Sequence, residues 1–359
     1  MKDLRPPTAG QPFSSGLLVA DIGGTNARFG WLAEGSDNVA HVATLSVAAH
    51  PGPVEATRAY LHSLASTLGT HAAVPRAAAF AVATAVGQDR VALTNSGWAF
   101  SCRATQQELG LEELLLLNDF EALALSLPRL GATQVRAITT AGMAATAAGA
   151  WVTVKDGSLA VIGPGTGLGV AGLLPTRHGW MAVAGEGGHA TLPAGDDFEA
   201  ALLAAVRRDF PHVSAERLLS GIGLPVLHGA VSAVLGPALT PGRPGRPGPP
   251  STLLAAGEIV ERGLSGSDAV CARTLDSFCA LLGSFAGNVA LVLGARGGVY
   301  IGGGIVPRLG EFFFNSRFRE RFEAKGRFEA YLQAVPTFLI TDTLAALSGA
   351  ALALEQHRR

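Results

Sequence analysis

The sequence predicts an α/β chain built as two related lobes, on three observations. A length of 359 residues exceeds what one hydrophobic core ordinarily serves. Apolar residues make up 48% of the chain, there are 46 glycines, and only 15% of residues are charged, which describes a folded enzyme more than a disordered or fibrous chain. The third is a repeat. An apolar strand enters a Gly/Thr turn and a second strand leaves it, first around Asp21–Asn26 and again around Gly163–Gly169.

The formal net charge of −1 leaves no field aimed at nucleic acid or an anionic membrane. Lysine occurs only at Lys2, Lys155 and Lys325, a bias read as coding composition. Cys102, Cys271 and Cys279 form an odd, scattered set that suits a reducing compartment. The last two lie eight residues apart on an expected helix, about 12 Å at ~1.5 Å per residue, too far for a disulfide. No membrane-length apolar stretch is free of charge or turn residues, and the amino terminus lacks a secretory apolar region. A cytoplasmic location is expected.

Residues 1–15, with three prolines, read as a disordered extension. The strand Gly16–Ala20 then runs into Asp21-Ile22-Gly23-Gly24-Thr25-Asn26, and alternation resumes over Ala27–Leu32. The glycines therefore join two strands. A dinucleotide fingerprint or P-loop needs a helix there, and the P-loop also needs Gly-Lys-Ser/Thr. A Gly-Gly hairpin still lets backbone N–H groups approach phosphate, because no Cβ intervenes. Thr25 adds a hydroxyl, and Asp21 can hold Mg²⁺ through water. An ordinary hairpin would use the same residues.

A helix over 53–68 precedes strands at 77–83 and 91–94. Asn95 falls in the next turn, either lining a cleft or serving as a turn residue. A helix near 104–113 leads to the run Leu114-Leu115-Leu116-Leu117, which ends in Asn118-Asp119-Phe120. The run suits a buried strand, and a helix follows to about Leu127. Asn118 and Asp119 thus sit at a strand's carboxyl end, where open α/β sheets bind ligands. The same place suits a plain helix cap.

Residues 131–157 are small and poorly patterned. The strand Leu159–Ile162, the turn Gly163-Pro164-Gly165-Thr166-Gly167-Leu168-Gly169 and the strand Val170–Leu174 repeat the opening motif. In Gly185-Glu186-Gly187-Gly188-His189 a carboxylate and an imidazole can face one small polar ligand. Zinc is weighed and set aside, since no cysteine or further clustered histidine follows nearby. Ser214–Gly221 reads as a helix start with Ser214 near the cap, and 237–250 as a Pro/Gly/Arg surface insertion. A long helix over 267–293, rich in small residues, packs a core or a subunit contact. The strand Gly298–Ile301 and the turn Gly302-Gly303-Gly304 leave room for a base or ribose. A further segment spans 331–340, and a helix over 344–355 ends the chain.

Assembled in order, these motifs resemble bacterial glucokinases of the hexokinase-like, actin-type ATPase superfamily. The likeness rests on Asp21–Arg28, Asn118–Phe120, Gly163–Gly169, Gly185–His189, Ser214–Arg217 and Gly302–Arg308, and runs from about Leu17 to Ala351. It implies a two-lobed actin-like, ribonuclease H-like ATPase fold with an interdomain cleft. The expected small lobe is 16–129 plus 341–359, and the large lobe 130–340. The resemblance implies ATP-dependent phosphorylation of D-glucose at its 6-hydroxyl, with Asp119 as catalytic base and Asn95, Asn118, Asp119, Glu186, His189 and Glu216 at the sugar. Nucleotide binding falls to Asp21, Gly23, Gly24, Thr25 and Asn26, to Gly163, Gly165, Thr166 and Gly167, and to Gly302 and Gly303. Mg-ATP is the expected cofactor, with Asp21 a water-mediated magnesium ligand. Zinc is not expected, because the cysteine cluster of the related repressor and sugar-kinase family is missing. A homodimer is expected from the small-residue helix near Gly283–Gly287. Another hexose, or a glucose-sensing regulator without turnover, are the alternatives.

Overall fold

A computed structural model of the chain describes residues 16–33, 35–36, 38–68, 75–84, 86–93, 96–139, 157–239 and 254–359. The expected extension at 1–15, Asn95, and residues 240–250 of the Pro-rich insertion lie outside the described residues. The chain divides into two units, Met1–Arg129 with Leu344–Arg359, and Leu130–Thr343.

In the first unit Gly16–Ile22 (β1) and Asn26–Ala33 (β2) form an antiparallel hairpin. Val39–Ser46 (β3) pairs antiparallel with β2. Pro53–Leu68 (α1) leads to Ala77–Val82 (β4), parallel to β1. Arg90–Ala92 (β5) and Ala99–Ser101 (β6) make a separate ribbon. Cys102–Glu108 (α2) is shorter than the expected 104–113, since Gly110 turns the chain at φ 66°. Glu113–Asn118 (β7) lies parallel to β4, and Asp119–Ser126 (α3) follows it. The sheet order is β3-β2-β1-β4-β7.

β4 reads Ala-Ala-Ala-Phe-Ala-Val and is buried throughout, as a strand covered on both faces must be. On one face Phe29 stacks on Tyr60 of α1 at 5.4 Å and meets Phe80 edge-on at 6.4 Å. Gly30 points the other way, toward Leu347 of the last helix, Ala345–His357. That helix lies close against α3: a Cβ on Gly349 would stand 1.7 Å from the Ala122 carbonyl oxygen.

The second unit builds the same pattern. Val135–Ala137 (β8) precedes Leu159–Pro164 (β9), Leu168–Thr176 (β10) and Gly179–Gly185 (β11), and Gly298–Ile301 (β12) and Thr337–Ile340 (β13) come later. The order is β11-β10-β9-β12-β13-β8. β9, β10 and β11 form an antiparallel meander, and β12 and β13 add parallel to β9. Each Gly/Thr turn therefore joins an antiparallel pair at the equivalent place in its sheet, β1–β2 in β3-β2-β1-β4-β7 and β9–β10 in β11-β10-β9-β12-β13, with β8 added at the far edge, so the repeat read from the sequence is a repeat of topology.

The helix Ala269–Leu293, capped by Asp268, runs through this unit's core. It is long and apolar enough to cross a membrane, but 72% of that stretch is buried within the unit. Cys271 and Cys279 are buried free thiols. A Cβ on Gly283 would lie 2.0 Å from the Phe318 carbonyl oxygen, and one on Gly287 2.5 Å from that of Phe322. The small residues thus admit the helix Phe318–Glu323 of the same chain, the core-packing alternative of the two read for this helix. The expected helix start at Ser214 is also corrected. Arg217 N–H does donate to Ser214 Oγ at 3.2 Å, but turns continue until the helix Leu224–Leu239 begins.

Candidate active site

In the first unit the ends of β1, β4 and β7 present Asp21, Thr84 and Asp119 at one edge of the sheet. Asn118 caps α3 with a complete capping box: its Oδ1 accepts from Phe120 N–H at 2.9 Å, and the Glu121 carboxylate accepts from Asn118 N–H. Asn118 Nδ2 donates to the Thr84 carbonyl at 3.1 Å, tying β7 to the end of β4. Capping is therefore the work of Asn118, and Asp119 occupies the first helical position. The Asp119 carboxylate accepts from Phe120 N–H at 3.0 Å. Burial pushes Asp119 up to about 6, the Asp21 carboxylate adds to the rise, and the Phe120 N–H opposes it. A carboxyl held near 6 suits proton abstraction at neutral pH.

Asp21 is itself largely buried and paired with Arg28 on β2 at 2.9 Å, directly across the hairpin. Burial still holds Asp21 above its usual range despite that partner. The turn closes with Gly23 N–H donating to Asn26 O at 2.9 Å, and Thr25 O accepts from Val47 N–H at 2.9 Å. Thr25 and Asn26 are exposed. None of the described hydrogen bonds uses the N–H of Gly24 or Thr25.

In the second unit the turn between β9 and β10 closes with Gly165 N–H on Gly167 O at 2.9 Å, and the N–H groups of Thr166 and Gly167 enter none of the described hydrogen bonds. Gly303 sits at φ +75°, and a Cβ there would lie 2.4 Å from Pro164 O. Ile305 N–H donates to the same carbonyl at 3.2 Å, so the turns 163–169 and 302–304 are one packed assembly. Glycine at 167 has a further reason: its missing Cβ would stand 2.5 Å from Glu216 Oε2. Glu216 Oε2 accepts from Leu168 N–H at 2.9 Å.

Gly187 and Gly188 press their backbone onto β10, and a Cβ on Gly188 would meet Leu168 O at 2.0 Å. Glu216 N–H donates to Gly188 O at 2.8 Å. His189 Nε2 stands 3.8 Å from Glu216 Oε1 and 4.0 Å from Glu186 Oε2. Glu186, His189 and Glu216 thus converge, with Glu186 and His189 open to solvent and Glu216 mostly covered. Among the described residues, no group of three or more His, Cys, Asp or Glu side chains is arranged to hold a metal ion.

The sequence profile of the Glucokinase family matches residues 18–357. The chain belongs to the glucokinase family. It is similar to the glucokinase of Chromobacterium violaceum, 45% identical over 350 residues, covering 98% of this chain and 92% of that one. It is also similar to the glucokinase of Aromatoleum aromaticum, 47% identical over 338 residues and 94% of each chain. Among solved structures, a glucokinase from an Antarctic psychrotroph superposes with a TM-score of 0.80 at 37% identity, covering 95% of this chain and 99% of that one. The actin-like ATPase fold expected from the motifs is the fold of this glucokinase-family chain.

Within this glucokinase-family chain the residues expected at the site fall into two groups. The first unit brings together Asp21, Gly23, Gly24, Thr25, Asn26, Asn118 and Asp119. The second brings together Gly163, Gly165, Thr166, Gly167, Glu186, His189, Glu216, Gly302 and Gly303. Three participants were not anticipated: Thr84, which accepts from Asn118 through its carbonyl, Glu121, which completes the cap, and Leu168, which serves Glu216 through its N–H. Glu121 three residues after Asn118 was legible as a capping box. The other two act through main chain and leave no side-chain signal.

Proposed function

We propose that this glucokinase-family chain transfers the γ-phosphoryl group of Mg-ATP to the 6-hydroxyl of D-glucose, giving glucose 6-phosphate and ADP, with Asp119 as general base. The observation that carries the reading is the Asp119 carboxyl, partly buried at the carboxyl end of β7 and raised to about 6, while Asn118 serves as the cap of α3. The sugar's O6 attacks the γ-phosphorus as the bond to the β–γ bridging oxygen breaks. Its proton passes to Asp119, and the leaving oxygen departs with ADP. Glu186, His189 and Glu216 bind sugar hydroxyls, and Asn118 holds Asp119 at the strand end. Asn95 belongs to the same proposed sugar site. A site of this kind discriminates by leaving buried polar groups unpaired when a hydroxyl is missing or misplaced.

Nucleotide phosphates are bound by the N–H groups of the two Gly/Thr turns, with Gly302 and Gly303 beside the adenosine. Asp21 fits a water-mediated magnesium ion. Among the described contacts only its Oδ2 is engaged, by Arg28, and one carboxylate with waters and phosphate oxygens is the set this hard cation takes. The ion would supply charge neutralisation on the phosphates. The proposed setting is cytoplasmic.

The pH dependence tests the reading. Asp119 accepts a proton only when ionised, so acid removes the base. kcat/KM for glucose is expected to be flat above pH about 7 and to fall with a midpoint near 6, about tenfold per further unit. A profile flat down to pH 4.5 would rule out Asp119 as the base.

A further inference from the structure

Glu216 touches two parts of the second unit at once. Its Oε2 accepts from Leu168 N–H at 2.9 Å, in the turn read here as phosphate-binding. Its Oε1 faces His189 Nε2 at 3.8 Å. Its own N–H holds Gly188 O at 2.8 Å, next to His189. Five residues on, Gly221 N–H donates to Gly165 O at 2.7 Å. The segment 214–221 therefore grips the 163–169 turn at both ends, and Gly167 lacks a side chain where the carboxylate lies beneath it. An ionised carboxylate on a backbone N–H is among the stronger hydrogen bonds available to a turn.

We infer that Glu216 is a positioning residue for the nucleotide turn as well as a sugar ligand, and that it couples the two sites. The inference rests on the proposed sugar and nucleotide sites. One carboxylate oxygen sets the turn through Leu168, and the other meets the sugar. Sugar binding that fixes the carboxylate thereby fixes the turn, and by linkage nucleotide binding tightens the sugar to the same degree. A residue serving the sugar alone would not need the contact with Leu168, nor a glycine at 167 to admit it.

The test is calorimetric binding of a non-hydrolysable ATP analogue with magnesium, with and without glucose, to the wild type, Glu216→Ala, Glu216→Gln and His189→Ala. In wild type, glucose is expected to tighten analogue binding about fivefold or more. Glu216→Ala is expected to weaken the analogue about tenfold without any sugar present, and to abolish the tightening. His189→Ala, which removes a sugar contact but not the turn bond, is expected to keep the sugar-free analogue affinity. In Glu216→Gln the amide oxygen can still accept from Leu168 N–H, so sugar-free affinity should return to within about twofold of wild type while glucose affinity stays reduced. That rescue separates positioning from a general loss of fold. Glu216→Ala binding the sugar-free analogue as tightly as wild type would overturn the inference while leaving the proposed reaction standing. A wild type that binds no analogue and phosphorylates no glucose would remove the reaction and the inference together.

Discussion

Asp119→Asn is expected to lower kcat by about 10²–10⁴, or roughly 3–5 kcal/mol of barrier, while making the folded protein more stable at neutral pH. The activity loss follows from removing the group that takes the proton from the sugar hydroxyl. The stability gain follows from the sign of the Asp119 shift. Its carboxyl ordinarily titrates near 3.8 and is raised to about 6 by burial. At pH 7 the group is ionised in both states, but the folded state holds that charge less favourably than the unfolded chain does, at a cost of about 1–3 kcal/mol. An amide of the same shape avoids that cost and can still accept from Phe120 N–H. Loss of the favourable charge at the start of α3 returns about 0.5 kcal/mol. Because the cost is absent below the unfolded value and grows as pH rises from about 4 to 6, the gain should fade toward pH 4. Thermal melts at pH 7 and pH 4, alongside turnover, check both halves. Near-normal turnover in the variant would remove Asp119 from the chemistry.

Gly349→Ala is expected to be strongly destabilising, although alanine is ordinarily the better helix former by about 1 kcal/mol. The new methyl would stand 1.7 Å from Ala122 O, 2.7 Å from Ala122 C and 2.9 Å from Ser126 N. All three are backbone atoms of α3 and cannot rotate aside, so one helix must move. A cost of about 3 kcal/mol or more is expected, seen as a fall in Tm of roughly 6–12 °C. Since α3 begins at Asp119, turnover should fall with it. An unchanged or raised Tm would mean that the two helices are not packed backbone to backbone.

Much of the site was legible because its signals are local. The run Leu114–Leu117 ending in Asn118-Asp119 marks a strand edge. The first Gly/Thr turn is followed by alternation over Ala27–Leu32, which excludes a P-loop there. The helix over 53–68 matches Pro53–Leu68. What the sequence hid depends on partners distant along the chain. β3 and β11 are edge strands with largely exposed, irregular patterns, so burial does not impose a clean period of two. Ser214 makes a cap-like bond, yet a helix does not follow. Glu216 is drawn instead to Gly188 and Leu168, and Gly223 lies where a Cβ would be 2.6 Å from Arg217 O. Tertiary bonds outweigh the local cap there. The small residues at Gly283 and Gly287 mark close packing correctly, but a periodic stripe carries no information on whether the neighbour is the same chain or another.

The most direct test of the central claim is to incubate the wild-type protein with Mg-ATP and glucose and identify the product by phosphorus and carbon NMR. The account predicts one ADP formed per sugar phosphorylated, phosphate on O6 alone, and no ADP without sugar. Phosphate on another hydroxyl, or ADP released without a sugar phosphate, would contradict it.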